Sequence, residues 1–383
     1  MKSDLTFFRR LRPAMSLFFL SASLASAQFY GDPPDDHHPW AVHDMNRPQP
    51  PQVTPGKLPG APPSDAIVLF DGTEASFKAN WEHEKKNRKA DWQVVDGAVQ
   101  CAKNAGTIRS KAQFADCQLH VEWAAPVNVQ GSSQGRGNSG IFLMGSTEVQ
   151  VLDNHNNPTY PDGFAGSVYG VMPPAANPLH APGQWQSYDI IFRRPIVKDG
   201  VVLDEGSFTV LINGVVVQDS TPLEGGGGHR GRSKPKAFPE KGPLKIQDHG
   251  NPVRFRNIWY RPLRKRPVDG GTDGKLSVEA TMAKRAEIAA DLRKDAATKK
   301  GKDRLLRLME SLCYEVDDEA VAVAEEEGEA FMAEVKAKPE GRKGDVIQVN
   351  NAVKYLVKHE RMPSDHPVID ELKALIKANG WDK

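Results

Sequence analysis

From Asp65 to about Arg264 the chain is written in short apolar runs closed by Gly, Asp, Asn and Pro. "CQLHVEWAAP" alternates: Cys117, Leu119, Val121 and Trp123 fall on one side, Gln118, His120 and Glu122 on the other. "TEVQVLDNH" does the same, with Val149 and Val151 opposed to Glu148 and Gln150. Period-two alternation is the signature of a strand with one face buried. "WQVVDGAVQCA" predicts a hairpin turning at Asp96-Gly97, and "INGVVV" another at Asn213-Gly214, because both dipeptides tolerate the positive φ of a tight turn. Ten or more such strands in roughly 200 residues, with no convincing helical period between them, predict an antiparallel sandwich or jelly roll; a parallel sheet needs intervening helices.

The pattern switches after the linker at 265–275. Residues 276–383 carry a helical period in five stretches rich in Ala, Glu and Lys, which predicts a small bundle. In the last stretch Asp365 is the expected cap and Gly380 the expected stop. Ahead of the sandwich, residues 28–63 hold ten prolines between Pro33 and Pro63, so an extended arm is expected, lying on the domain or free. The first 27 residues combine Arg9, Arg10 and Arg12 with "AMSLFFLSASLA" and the small residues "ASA". That is the pattern of a cleaved export signal, and the apolar run is too short to span a bilayer. The expected layout is therefore signal 1–27, arm 28–63, sandwich 64–264, linker 265–275 and bundle 276–383, in a chain exported to the periplasm or the exterior.

Composition adds exclusions. The 383 residues carry a net charge of +1, which offers no field to draw nucleic acid or an anionic membrane. No nucleotide cofactor is expected: "GRGNSG" lacks the lysine and following helix of a phosphate loop. Of three cysteines, Cys101 and Cys117 are either paired across neighbouring strands or, with Cys313, free and buried.

Candidate chemistry lies in the sandwich: Arg136, Asn138 and Ser139 before a strand, then Glu148, Gln150 and Asp153, Asp162 and Tyr169 among glycines, Trp185 and Gln186, and finally Gln247, Asp248, His249, Arg254 and Arg256. Singly, each has a structural reading, as turn former, cap, core aromatic or edge ion pair. Together they supply the carboxylate, amide, imidazole and guanidinium groups that orient sugar hydroxyls and move protons, with aromatic rings to stack on a pyranose.

The ordered blocks "AIVLFDG", "NSGIFL", "EVQVLDN", "DGFAGSVYG", "QWQSYDIIFRRP", "VLINGVVVQ" and "GPLKIQDHGNPVRFRNIWYRPL" resemble an exported family of lectin-like (concanavalin-like) jelly rolls. That family is the 3-keto-glycoside 1,2-lyase/3-keto-2-hydroxy-glucal hydratases, also called 3-keto-disaccharide hydrolases. The resemblance covers about residues 65–263 and leaves out the helical tail. It implies a sugar substrate and cleavage of a glycoside whose C3 is a ketone. A base takes the acidified C2 proton, the C1 aglycone leaves, and water adds back at C1. Such a site needs a base, stabilisation of the enolate and an acid for the leaving oxygen, not the carboxylate pair of an ordinary glycosidase.

On this reading Glu148 or His249 transfers the proton, Arg256 stabilises the enolate, and Asn138, Gln150, Asp153, Tyr169, Trp185 and Gln247 bind the sugar. A divalent metal held by Glu148 and His249 is a further expectation. The alternative class is a carbohydrate-binding module without catalysis. The helical tail is expected to serve self-association or a protein partner.

Overall fold

The protein is described from a computed structural model that covers residues 29, 31–224, 227–228, 230–232, 237–266 and 277–382. The expected export signal and most of the linker lie outside these residues. The chain divides into two compact units: Pro50–Gly271, and Thr272–Lys383 together with the N-terminal part through Gln49.

The first unit is an antiparallel, jelly-roll-like sandwich. One sheet has five strands, in the order Trp81–His83, Ile108–Phe114, Gly242–Ile246, Ser139–Leu143 and Thr147–Val151. The other has eight, running Val215–Pro222, Ser207–Ile212, Gln186–Arg193, Cys117–Ala124, Arg254–Pro262, Ala98–Gln100 and Gln93–Val95, with Ile67–Phe70 also paired to Arg254–Pro262. Both expected hairpins are present. Asp96 and Gly97 have φ of 50° and 72°, and Asn213 and Gly214 have φ of 51° and 79°, as a two-residue turn between right-twisted strands requires.

Alternation decides what each sheet buries. Val121, Trp123, Tyr188, Phe192 and Phe255 from the large sheet meet Ile108, Ile141, Val149, Val151 and Leu244 from the small one in a single core. Each large apolar side chain removed from water is worth about 1.5–3 kcal/mol. The Tyr188 hydroxyl crosses that core to donate to the Gln150 carbonyl at 2.8 Å, which pins the Thr147–Val151 strand by its backbone. The sandwich also holds a short helix, Glu74–Asn80, capped by Thr73; its seven residues are too few for a clear 3.6 period.

Cys101, Cys117 and Cys313 are free and buried. A bridge from Cys101 to Cys117 is ruled out by register. Cys101 directly follows the strand Ala98–Gln100, which pairs with Arg254–Pro262 at Arg254 and Phe255, whereas Cys117 sits opposite Pro262, at the other end of that strand.

Among its described residues the second unit contains five helices, Val278–Ala296, Gly301–Ser311, Asp318–Ala337, Lys343–Lys358 and Pro367–Ala378. They share a separate core that includes Leu305, Met309, Phe331, Val349, Leu356 and Leu372. The last helix is capped by His366, whose ring accepts from the Val368 N–H at 3.3 Å, and not by Asp365. With Pro367 at the first helical position, the cap falls on the residue before it. Gly380 lies past the end with φ of 63°.

The Pro-rich arm is tied down. Trp40 packs edge-on to Tyr314, the Tyr355 hydroxyl donates to the Gly31 carbonyl at 2.8 Å, and the Tyr314 hydroxyl donates to Asp44. Among the described residues, no helix is long and apolar enough to cross a membrane.

Candidate active site

The outer face of the five-stranded sheet carries one row of side chains across all five strands. Register sets Glu82 beside Arg109, Arg109 and Phe142 beside Lys245, and Phe142 beside Glu148. At one end the charges are satisfied: Arg109 donates to Glu82 at 2.7 Å and Lys245 to Glu84. At the other end Glu148 has no ion pair among the described residues.

The next row explains where the Glu148 carboxylate goes. It contains Gly140, opposite Gln150 and bonded through its carbonyl to the Gln247 N–H at 2.9 Å. Having no side chain, Gly140 leaves a gap, and Glu148 leans into it. A β-carbon on Gly140 would stand 2.1 Å from Glu148 Oε1.

Gln150, only 1% exposed, lies beside that carboxylate. In one amide orientation Gln150 Nε2 donates to Gln134 Oε1 at 2.9 Å. Turned over, its nitrogen faces Glu148 Oε1 at 3.2 Å and the Ser139 carbonyl at 2.9 Å. Asn138 closes the chain of amides, donating to the Gln134 carbonyl at 2.7 Å. Burial without a cation pushes the Glu148 carboxyl up to about 8.

The free edge of the Thr147–Val151 strand is covered by the segment after it. Gln150 N–H donates to the Ser167 carbonyl and Tyr169 N–H to the Glu148 carbonyl. This brings Tyr169 beside Glu148, with its hydroxyl 2.7 Å from that of Tyr160. Burial, the Tyr160 contact and the nearby Glu148 and Asp162 carboxylates push the Tyr169 hydroxyl well above its ordinary range, so it stays protonated. A cavity of about 480 Å³ opens past the two tyrosines.

Of the residues singled out in the sequence, the structure brings together Glu148, Gln150, Asn138, Tyr169 and, by register, Gln247. Asp153 lies next to them but is held by Arg136 at 2.7 Å and by the His155 N–H. His249 is exposed on the loop after Asp248, and its ring makes no hydrogen bond to this cluster.

Arg256 and Trp185 are not brought to it. They lie on the outer face of the eight-stranded sheet, where Arg256 pairs with Glu122 at 2.6 Å and sits 4.1 Å over the Trp185 ring. Phe255, the neighbour of Arg256, points into the core, so alternation turns Arg256 away from Glu148. A metal does not fit this donor set. Among the described residues no three His, Cys, Asp or Glu side chains converge, and those around Glu148 are amides and phenols.

Sequence reasoning missed Gln134 and Tyr160. Gln134 is a loop residue whose importance comes only from reaching Gln150 across the fold. Tyr160 announces itself only through its contact with Tyr169.

Residues 65–261 match the model of a family described as 3-keto-alpha-glucoside-1,2-lyase-like domains. A crystal structure from Parabacteroides distasonis, described only provisionally as a glycosyl hydrolase, is 46% identical, with a TM-score of 0.53 over 57% of this chain and 93% of that one. Another from the same organism, described in the same terms, is 21% identical, with a TM-score of 0.37 over 52% and 99%. A carbohydrate-binding module from Bacillus subtilis is 12% identical, with a TM-score of 0.27 over 46% of this chain. No protein with a curated description matches.

Proposed function

The chain belongs to the family of 3-keto-alpha-glucoside-1,2-lyase-like domains, and from that premise we propose that it cleaves 3-keto-glycosides by elimination across C1 and C2 followed by rehydration. The observation that supports this most is Glu148: a carboxyl raised to about 8 by burial alone, seated over a glycine and among amides. A raised carboxylate is a stronger base than an ordinary one, and a value near working pH is what general-base catalysis favours.

In the proposed reaction Glu148 takes the proton from C2, and the electron pair moves into the C3 carbonyl as an enolate. The enolate collapses back to the ketone, forming the C1–C2 double bond and expelling the aglycone oxygen from C1. Tyr169, held protonated and backed by Tyr160, donates to that oxygen. Gln150, Gln247 and Asn138 orient the hydroxyls and the ketone. Water then adds at C1 and gives a proton to the Tyr169 oxygen while Glu148 returns its proton to C2, so both groups are restored and a free 3-keto sugar results.

The test is the product. Incubation with a 3-keto-disaccharide and with its unoxidised parent should release sugar from the ketone alone. Release from the parent indicates an ordinary glycosidase, and release from neither indicates a carbohydrate-binding module. The same reading carries export, checked by N-terminal sequencing of the mature protein, which should begin at Gln28.

A further inference from the structure

The cavity beyond Glu148 has an unusual wall. The ribbon Gly227–Gly228 paired with Gly231–Arg232 forms part of it, and the cavity is lined by Tyr160, Asp162, Tyr169, Glu224, Arg230 and Arg232. The ribbon's described residues are glycines apart from Arg230 and Arg232. None belongs to the sandwich core. A glycine-rich hairpin gives up conformational entropy on ordering and gains no packing from its own side chains. What it presents is two guanidiniums, one from Arg230 in the turn, where φ is 60°, and one from Arg232 in the returning strand, and both line the cavity.

Neither arginine has an ion pair or hydrogen bond among the described residues, although Asp162 and Glu224 line the same cavity. An unpaired guanidinium in a cleft is a fork of donors matched to a carboxylate, and a pair can grip one from two sides. The two acidic residues offset the two arginines in formal charge. Recognition must then rest on direct contact, not on a broad positive field.

We propose that this cavity holds the leaving group of the substrate and that the leaving group is acidic, its carboxylate held by Arg230 and Arg232. The proposal rests on the reaction assigned to Glu148 and adds the class of aglycone.

The test uses the full chain and two 3-keto-glucosides, as both anomers, that differ only in charge: 4-carboxyphenyl and 4-(methoxycarbonyl)phenyl. The expected result is a kcat/KM at least about tenfold higher for the carboxylate, carried mainly by KM. The Arg230→Ala/Arg232→Ala double variant should bring the ratio to about one. Equal kcat/KM in the wild type, or a preference that survives in the double variant, overturns the proposal.

If the wild type cleaves neither compound, the reaction assigned to Glu148 falls, and calorimetry with the unoxidised pair of glucosides decides the cavity by itself. Tighter binding of the carboxylate, lost in the double variant, supports it. Equal binding, or none, overturns it.

Discussion

Glu122 and Glu148 are the same side chain in the same setting, an outward position on a strand of one sandwich, and they have opposite chemistry. Glu122 lies on the eight-stranded sheet. Burial pushes it up, but His120, Asn257 and Arg256 outweigh that and hold it at about 2. Glu148 lies on the five-stranded sheet with burial alone, and stands at about 8. Glu148 is the more deeply buried and has nothing to offset that burial, whereas Glu122 has three partners. On the eight-stranded sheet His120 bonds Asp189 at 2.7 Å, stacks on Trp259 and is held charged up to about 9, burial being outweighed by its two carboxylates. Asn257 and Trp259 also grip the Gly60 carbonyl, at 2.7 and 2.9 Å, and so fix the end of the arm to this face. One face closes on itself. The other keeps a carboxyl without a counter-charge among the described residues, at a cost in stability.

This contrast can be broken most severely at Glu148. Glu148→Gln should lower kcat/KM on a 3-keto-glucoside by about 10³-fold, within the usual range for losing a general base. In the wild type kcat/KM should rise about tenfold per pH unit toward a plateau above about 8, as Glu148 loses its proton. A rate that falls over that range would make Glu148 the acid instead.

A smaller effect is expected from Gly140→Ala. The new methyl meets the flexible end of Glu148 and, at 2.9 Å, the edge of the Phe142 ring, so both side chains shift. A displacement of the carboxyl by about 1 Å should cost about 10²-fold in turnover, and the contact with Phe142 should lower the melting temperature as well.

The contributions of the two carboxyls to stability should titrate in opposite senses. Glu148 has a folded value above its unfolded one, so its contribution is present below about 4.5 and lost as pH rises through about 8. Glu148→Gln should therefore melt higher than the wild type at pH 9, by an amount that shrinks at pH 5. Glu122 stabilises above its unfolded value of 4.5 and loses this as pH falls toward about 2. His120 stabilises below 6.5 and loses this as pH rises through about 9. Melting scans of the three variants Glu148→Gln, Glu122→Gln and His120→Gln across pH separate these terms.

The smallest effect belongs to Arg256. Its side chain is 41% exposed, so Arg256→Ala should cost only about 1 kcal/mol in stability, read by denaturant titration. Turnover should stay within about twofold of the wild type. A larger loss of activity would return Arg256 to the site that its place in the sequence suggested.

Much of this was legible in the residues alone because it is local. Asp96-Gly97 and Asn213-Gly214 can turn a chain in few other ways, and alternation puts Val149 and Val151 in the core and so turns Glu148 and Gln150 outward. The five helices follow from a 3.6 period repeated long enough to be read. The same logic is silent on which outward faces meet. Arg256 and Trp185 look like natural partners of Glu148 as residue types, yet they decorate the other sheet. His249 shares a loop with Asp248, whose carboxylate turns instead to the Gly106 N–H and the Cys101 thiol.

By itself, then, the sequence determined the strands, the turns, the helices and which side of each strand is wet, because these depend on neighbours a few residues away. Only the tertiary structure decided that Glu148 leans over Gly140 without a counter-charge while Glu122 is surrounded by partners. A carboxyl's proton affinity depends on every charge and dipole within a few ångströms, and those arrive from strands far apart in the chain.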